Sequence, residues 1–137
     1  MQCGVIGNHA LTVSECEELI SSGEVVGYRD KYPENKKPGS ADLAPSIIPA
    51  RIPQALSDEI RSIAAAAFKS IDSRGISRVD FLVDSAAMKP YVNEINTMPG
   101  FTTISMYPRM WAASGIDYPT LVGTMVDTAL ARGTGLR

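Results

Sequence analysis

Two segments with strand periodicity, Arg78-Val79-Asp80-Phe81-Leu82-Val83-Asp84 and Tyr91-Val92-Asn93-Glu94-Ile95-Asn96, constrain this chain more than any other feature. Both are rich in strand formers, and Ser85-Ala86-Ala87-Met88-Lys89-Pro90 between them reads as a reversal. An antiparallel hairpin centred near Ala87 sets Asp80 opposite Glu94. Residues two apart on a strand share a face, so Arg78 joins Asp80 and Asn96 joins Glu94. Facing carboxylates repel unless a cation lies between them, and two carboxylates beside a neutral amide oxygen suit a hard cation such as Mg²⁺. The alternative is a hairpin whose polar face is simply solvated. Pro99-Gly100 then ends the second strand, and glycine permits a sharp turn whose unobstructed N-H can be aimed at a developing oxyanion.

Around this hairpin the pattern predicts one α+β domain over residues 1–137, a mostly antiparallel sheet with helices packed on one side. The chain begins abruptly in a strand, Gln2 to Ile6, with a turn at Gly7-Asn8, which is unusual for a natural domain start. From 12 to 46 the pattern weakens: Gly23, Gly27, Pro33, Asn35, Pro38 and Gly39 interrupt it and charges crowd Arg29 to Lys37, so a long mobile loop is expected. After an extended Ile47 to Arg51, Pro53 suits the first turn of a helix whose apolar stripe is Leu56, Ile60, Ile63, Ala67, Phe68 and Ile71, with Gly75 ending it. A short helix is expected from Tyr107 to Ser114, stopped at Gly115. Asp117 can cap another from Tyr118 to Arg132, with Leu121, Val122, Met125, Val126, Ala129 and Leu130 as its buried face.

With 45% hydrophobic residues among 137, there is material for a single core. A formal charge of -2, from 13 Lys and Arg against 15 Asp and Glu, argues against a nucleic-acid or anionic-membrane partner. The longest apolar run, Ile63 to Phe68, is far short of a membrane span, and no signal core opens the chain, so a cytoplasmic location is expected. Cys3 and Cys16 match no metal spacing and are too few for a disulfide framework, which reads as two reduced structural thiols. His9, the single histidine, reads as a loop residue. Met98, Met106 and Met110 read as fillers of irregular apolar gaps, with Phe101 and Trp111 as core candidates.

The string Asn93-Glu94-Ile95-Asn96-Thr97-Met98-Pro99-Gly100-Phe101-Thr102-Thr103-Ile104-Ser105-Met106-Tyr107-Pro108, within the segment Arg78 to Trp111, resembles the C-terminal signature of D-alanine:D-alanine ligases of the ATP-grasp superfamily. Looser likeness extends through Cys3-Gly4-Val5-Ile6-Gly7-Asn8, Gly23-Glu24, Tyr28-Arg29-Asp30-Lys31-Tyr32 and Ile48-Pro49-Ala50 to the closing helix. Family members carry an N-terminal and a central domain before this part. The resemblance therefore implies the C-terminal portion of an ATP-grasp fold, in which 12–46 is an omega-type loop closing over the active site.

The resemblance also implies roles. Family members join two D-alanines with ATP and Mg²⁺, through an acyl phosphate, for peptidoglycan synthesis. Asp80 and Glu94 would hold one of two Mg²⁺ ions and Glu94 and Asn96 the other, with Mn²⁺ as a substitute. Arg78 and the Gly100 N-H would stabilise the oxyanion. Ser105 and Met106 would receive the second D-alanine's carboxylate, Lys31 would reach the transferring phosphate and Tyr32 would latch the loop. Arg78 could instead be a surface residue paired with Asp80, and Ser105 a turn hydroxyl. The lysines that grip ATP and the residues that seat adenine and hold the first D-alanine belong to the other domains, so the isolated chain is expected to be inactive. The full-length enzyme is expected to be a homodimer. Two other readings stay open: a ligase joining D-alanine to D-lactate or D-serine, and a non-catalytic metal- or phosphate-binding module.

Overall fold

The computed structural model describes residues 1–20, 46–102 and 104–132. Its strands are β1 (Gln2–Gly7), β2 (Leu11–Val13), β3 (Glu18–Leu19), β4 (Ser46–Ile47), β5 (Gly75–Asp84) and β6 (Lys89–Asn96). Its helices are α1 (Gln54–Ser70), α2 (Met106–Ala113) and α3 (Tyr118–Ala131). Four strands form one antiparallel sheet in the order β2-β1-β5-β6, while β3 and β4 pair separately. The α+β architecture expected from the residues is present.

β1 is buried from Gln2 through Ile6, and alternate residues on a strand point to opposite faces, so both faces of the sheet must be covered here. Cys3 and Val5 join Val79 and Phe81 of β5 against Leu56, Ile60, Ala64 and Phe68 of α1. Ile6 and the partly buried Ile76 meet Tyr107, Met110 and Trp111 of α2 and Leu121 of α3 on the other face. The helices are therefore split between the two faces, which corrects the one-sided layer expected from the sequence. The second face was hidden because Gln2 and Gly4 give it little apolar signal, although Gly4 is what lets α2 reach the backbone.

The helix ends follow local chemistry. α1 starts directly after Pro53 and stops at Ser70, five residues before Gly75. The chain leaves it through Asp72 at φ 50, with Asp72 N donating to Lys69 O and Ser73 N to Phe68 O. Gly75, at φ +85, opens β5 instead of ending the helix, and Ile71 is half exposed instead of completing the stripe. α2 ends with Gly115 at φ +85, where Gly115 N donates to Ala112 O and Ile116 N to Trp111 O, the paired bonds of a glycine-terminated helix. Asp117 caps α3 as expected, its Oδ1 accepting from Thr120 N at 2.9 Å.

α3 is less embedded than its apolar content suggested. Leu121 is buried and Met125 packs beside it, while Asn8 Nδ2 donates to Thr128 O. That row, one helical turn apart at each step, faces the sheet. Val122, Val126 and Leu130 are turned away from it and exposed, against the expectation that they were core. Met98 departs further, at 86% exposure, whereas Met110 and Trp111 are fully enclosed and His9 is exposed in the turn between β1 and β2.

A Cβ at Gly4 would stand 2.9 Å from both Trp111 Nε1 and Tyr107 Cε2, with two aromatic rings that have no room to yield. Gly4→Ala should destabilise the chain by about 1–3 kcal/mol, the usual cost of overpacking a dense core. Urea unfolding followed by tryptophan fluorescence checks this through Trp111. An unchanged midpoint would contradict the close approach of α2 to β1.

Candidate active site

The hairpin sets Asp80 opposite Glu94 and Arg78 opposite Asn96 as read from the sequence, while from Phe81 to Asp84 the pairing is one residue off a hairpin centred at Ala87. Its turn is Ser85 to Met88, where Asp84 Oδ1 accepts from Ala86 N and Ala87 N, so Lys89 and Pro90 already belong to β6. A bulge after Asp80 leaves Asn93 without an opposite number, since Phe81 pairs with Val92. β1 extends the rows inward: Gln2 stands opposite Asp80, and Gly4 opposite Arg78. Asp80 and Glu94 thus lie in one line across three strands with Gln2, and Arg78 and Asn96 in the adjacent line with Gly4.

Arg78 grips Asp80 with both arms of its fork, Nε to Oδ1 at 2.6 Å and Nη2 to Oδ2 at 2.9 Å, and its Nη2 lies 3.6 Å from Glu94 Oε1. The two facing carboxylates are accordingly accommodated around a guanidinium, and the Arg78–Asp80 pairing weighed from the sequence is present. A nearly buried carboxylate such as Asp80 requires a partner of this kind. Glu94 is different, its side chain 52% exposed at the outer strand. Asn96 Oδ1 accepts from Met98 N at 3.0 Å, fixing the turn out of β6 while leaving one lone pair of that oxygen.

The donor set fits a hard divalent cation. Asp80, Glu94 and Asn96 offer only oxygens, on one face and in adjacent rows. Among the described residues no group of three or more His, Cys, Asp or Glu side chains gathers as a closed cage. Such an open set suits Mg²⁺, which retains positions for water and phosphate.

The turn beyond β6 presents a second group. Ser105 Oγ accepts from Thr102 N at 2.9 Å and lies 2.9 Å from Thr102 Oγ1, while Ser105 N donates to Thr102 O. A Cβ on Gly100 would approach Ser105 Oγ to 2.9 Å, so the glycine and the hydroxyl are immediate neighbours. Ser105 precedes α2 in extended conformation without capping it through its side chain, and Met106 is the first helical residue. The helix N-terminus carries partial positive charge, favourable to an anion. Lys31 and Tyr32 lie outside the described residues.

Three polar residues that sequence reasoning passed over tie the two groups together. Gln2 Nε2 donates to Glu17 Oε2 at 2.6 Å and sits 2.8 Å from Met106 Sδ. Glu17, wholly buried, has its other oxygen 3.6 Å from Arg109 Nη1 on α2, and Arg109 Nη2 donates to Ser46 Oγ. The available signal was Gln2 itself, a polar side chain in an otherwise unbroken buried strand. Nothing local marked Glu17 or Arg109. Tyr107 anchors the same helix by donating to Val5 O at 2.9 Å, and burial raises its phenol pKa.

Comparison with known proteins bears on this arrangement. The family described as D-ala D-ala ligase C-terminus matches residues 1–127. A D-alanine--D-alanine ligase of Mycolicibacterium vanbaalenii is 50% identical over the whole chain, and the corresponding ligase of Mycolicibacterium paratuberculosis 48%. The chain spans only 37% of the length of each. Among solved structures, the D-alanine-D-alanine ligase of Coxiella burnetii superposes with a TM-score of 0.76 at 35% identity, covering 96% of this chain and 31% of that one. The VanG D-Ala:D-Ser ligase of Enterococcus faecalis gives 0.73 at 29%, covering 93% and 35%. The antiparallel α+β fold is that of the ATP-grasp ligases, and by the match across residues 1–127 the chain belongs to the D-ala D-ala ligase C-terminus family.

Proposed function

We propose that this chain is the catalytic C-terminal part of an ATP-dependent D-alanine:D-alanine ligase, forming D-alanyl-D-alanine for peptidoglycan synthesis in the cytoplasm, in a full-length enzyme that is a homodimer. The observation that carries this reading is the hairpin register, which gathers Arg78, Asp80, Glu94 and Asn96 on one face. The names of the relatives at 48–50% identity support D-alanine as the acceptor. The likeness to a D-Ala:D-Ser ligase keeps another acceptor, D-serine or D-lactate, as the second reading.

In the proposed reaction ATP phosphorylates the carboxylate of the first D-alanine. The amine of the second attacks the acyl phosphate, and phosphate leaves the tetrahedral intermediate. Asp80 with Glu94, and Glu94 with Asn96, would hold Mg²⁺, which would supply charge neutralisation for the transferring phosphates. Arg78 is the fixed cation beside them: with Nε and Nη2 turned to Asp80, its guanidinium can direct Nη1 at an oxygen of the tetrahedral centre together with the Gly100 N-H. Ser105 Oγ and the Met106 N-H, at the positive end of α2, suit the second D-alanine's carboxylate. Lys31 and Tyr32 are proposed to close the site over the reacting groups, which would exclude water from the acyl phosphate.

The isolated chain should release no ADP above background in a coupled assay with ATP and D-alanine, since the rest of the nucleotide site is assigned to other domains. ADP release abolished by Glu94→Gln would show instead that the chain suffices. In the full-length enzyme, Glu94→Gln should lower kcat more than Asp80→Asn or Asn96→Ala, because Glu94 is shared between both proposed ions. Arg78→Lys should cost about 10²–10³ in rate, as for loss of one oxyanion donor. A drop in Tm with kcat intact would reduce Arg78 to the structural partner of buried Asp80. Ser105→Ala should raise KM for the second D-alanine more than it lowers kcat, the pattern of a lost ground-state contact. Steady-state kinetics with each D-alanine site resolved reads this split, and an unchanged KM would remove Ser105 from the acceptor site.

A further inference from the structure

Cys3 and Cys16 are enclosed at 0% and 1% exposure, on the face of the sheet opposite the proposed site. Gln2 and Glu17 exchange both backbone hydrogen bonds, at 2.9 and 2.8 Å, and Ser14 N donates to Gly4 O at 2.9 Å. Between these two anchors β1 has the single residue Cys3, whereas the facing segment has Glu15 and Cys16. That is a bulge, and it sends its two residues to different neighbours. Glu15 N donates to Ser114 Oγ. The Cys16 sulfur sits beneath α1, 3.6 Å from Ser57 Oγ and 3.9 Å from Ser57 O. Cys3 lies in the same cluster, one residue after Gln2, just as Cys16 comes one residue before Glu17 in the paired segment. Cys3 and Cys16 thus flank the Gln2–Glu17 bridge on facing segments, and a disulfide between them needs their Cα atoms within about 4.4–6.8 Å.

We propose that Cys3 and Cys16 form a reversible dithiol–disulfide site whose oxidant is hydrogen peroxide. Peroxide is small enough to follow water through local openings between α1 and β1, where bulkier disulfide oxidants would be hindered. The environment divides the roles. The neighbouring Cys3 thiol lowers the Cys16 pKa to about 7, helped by Ser57 and Arg61 against burial and the charge of Glu15. The neighbouring Cys16, with burial and the charge of Asp80, raises the Cys3 pKa. Cys16 is therefore the nucleophile and Cys3 the resolving thiol.

The Cys16 thiolate attacks one peroxide oxygen; the O–O bond breaks, and the departing hydroxide takes a proton to become water. Cys16 is left as a sulfenic acid. Cys3 then loses its proton and attacks the Cys16 sulfur, the S–O bond breaks, and the second hydroxide leaves as water with that proton. Two thiols and one peroxide give one disulfide and two waters, and a small dithiol reverses the change by exchange.

The test is to treat the folded chain with hydrogen peroxide, quench with an alkylating agent during unfolding, and measure intact mass and the peptide map. The expected product is lighter by two hydrogens, resists alkylation at both cysteines, contains a Cys3–Cys16 cross-linked peptide and reverts with dithiothreitol. Its rate should rise about tenfold between about pH 6 and about pH 8, as the Cys16 thiolate forms. Cys16→Ala, checked for folding by circular dichroism, should leave Cys3 fully alkylated; if that variant does not fold, the wild-type map and pH profile decide alone. Full alkylation of the peroxide-treated wild type, oxygen addition without a cross-link, a disulfide only between two chains, or a disulfide formed only in urea would each overturn the proposal.

Discussion

The rest of the structure depends on the closeness of α2 to the sheet at Gly4. With no side chain on that residue, the Tyr107 and Trp111 rings lie directly on the backbone of β1, and Tyr107 adds a hydrogen bond to Val5 O. The helix cannot slide without losing both. Its first turn is consequently fixed beside Gln2, and Gln2 stands in line with Asp80 and Glu94. The packing of one buried face thus sets the distance between an acidic row on the sheet and the Ser105-Met106 turn. The buried Glu17–Arg109 contact strengthens the same link from the side, where its charges are little screened by water.

The hairpin was legible from residues alone because two independent signals agreed: alternation in each segment and a reversal between them, although the turn proves to be Ser85 to Met88, two residues shorter than expected. The polar rows were read correctly for an incomplete reason: the turn is centred half a residue before Ala87, and the unforeseen bulge at Asn93, between the turn and Asp80, shifts the pairing by one and brings Asp80 opposite Glu94. The ends of α2 and α3 were legible at Gly115 and Asp117, where glycine and aspartate act locally. The second covered face was not, because its evidence is the absence of a side chain at Gly4 and a glutamine that looks solvent-facing. Nor could periodicity tell which of α3's apolar residues would meet the sheet, since Leu121 and Val126 are equally apolar and differ only in where the helix axis falls. Glu17 and Arg109 find each other across the chain, and no spacing announces such a pair.

The electrostatic requirement inferred from facing carboxylates has a second solution in the structure. Arg78 satisfies it from within the same strand, two residues from Asp80. Burial falls along the row from Gln2 through Asp80 to the half-exposed Glu94. The inner carboxylate is held by the Arg78 guanidinium, and the outer one reaches solvent.

β6 is the outer strand of the sheet among the described residues, and an outer strand offers its backbone to any extended chain that meets it. Two features make it a poor template. Pro90, paired with Val83, has no N-H to give, and the bulge at Asn93 breaks the straight repeat that a docking strand would need to follow. The irregularity beside the acidic row therefore also works against edge-to-edge aggregation, keeping an accessible, oxygen-rich strand from being sealed by a neighbour.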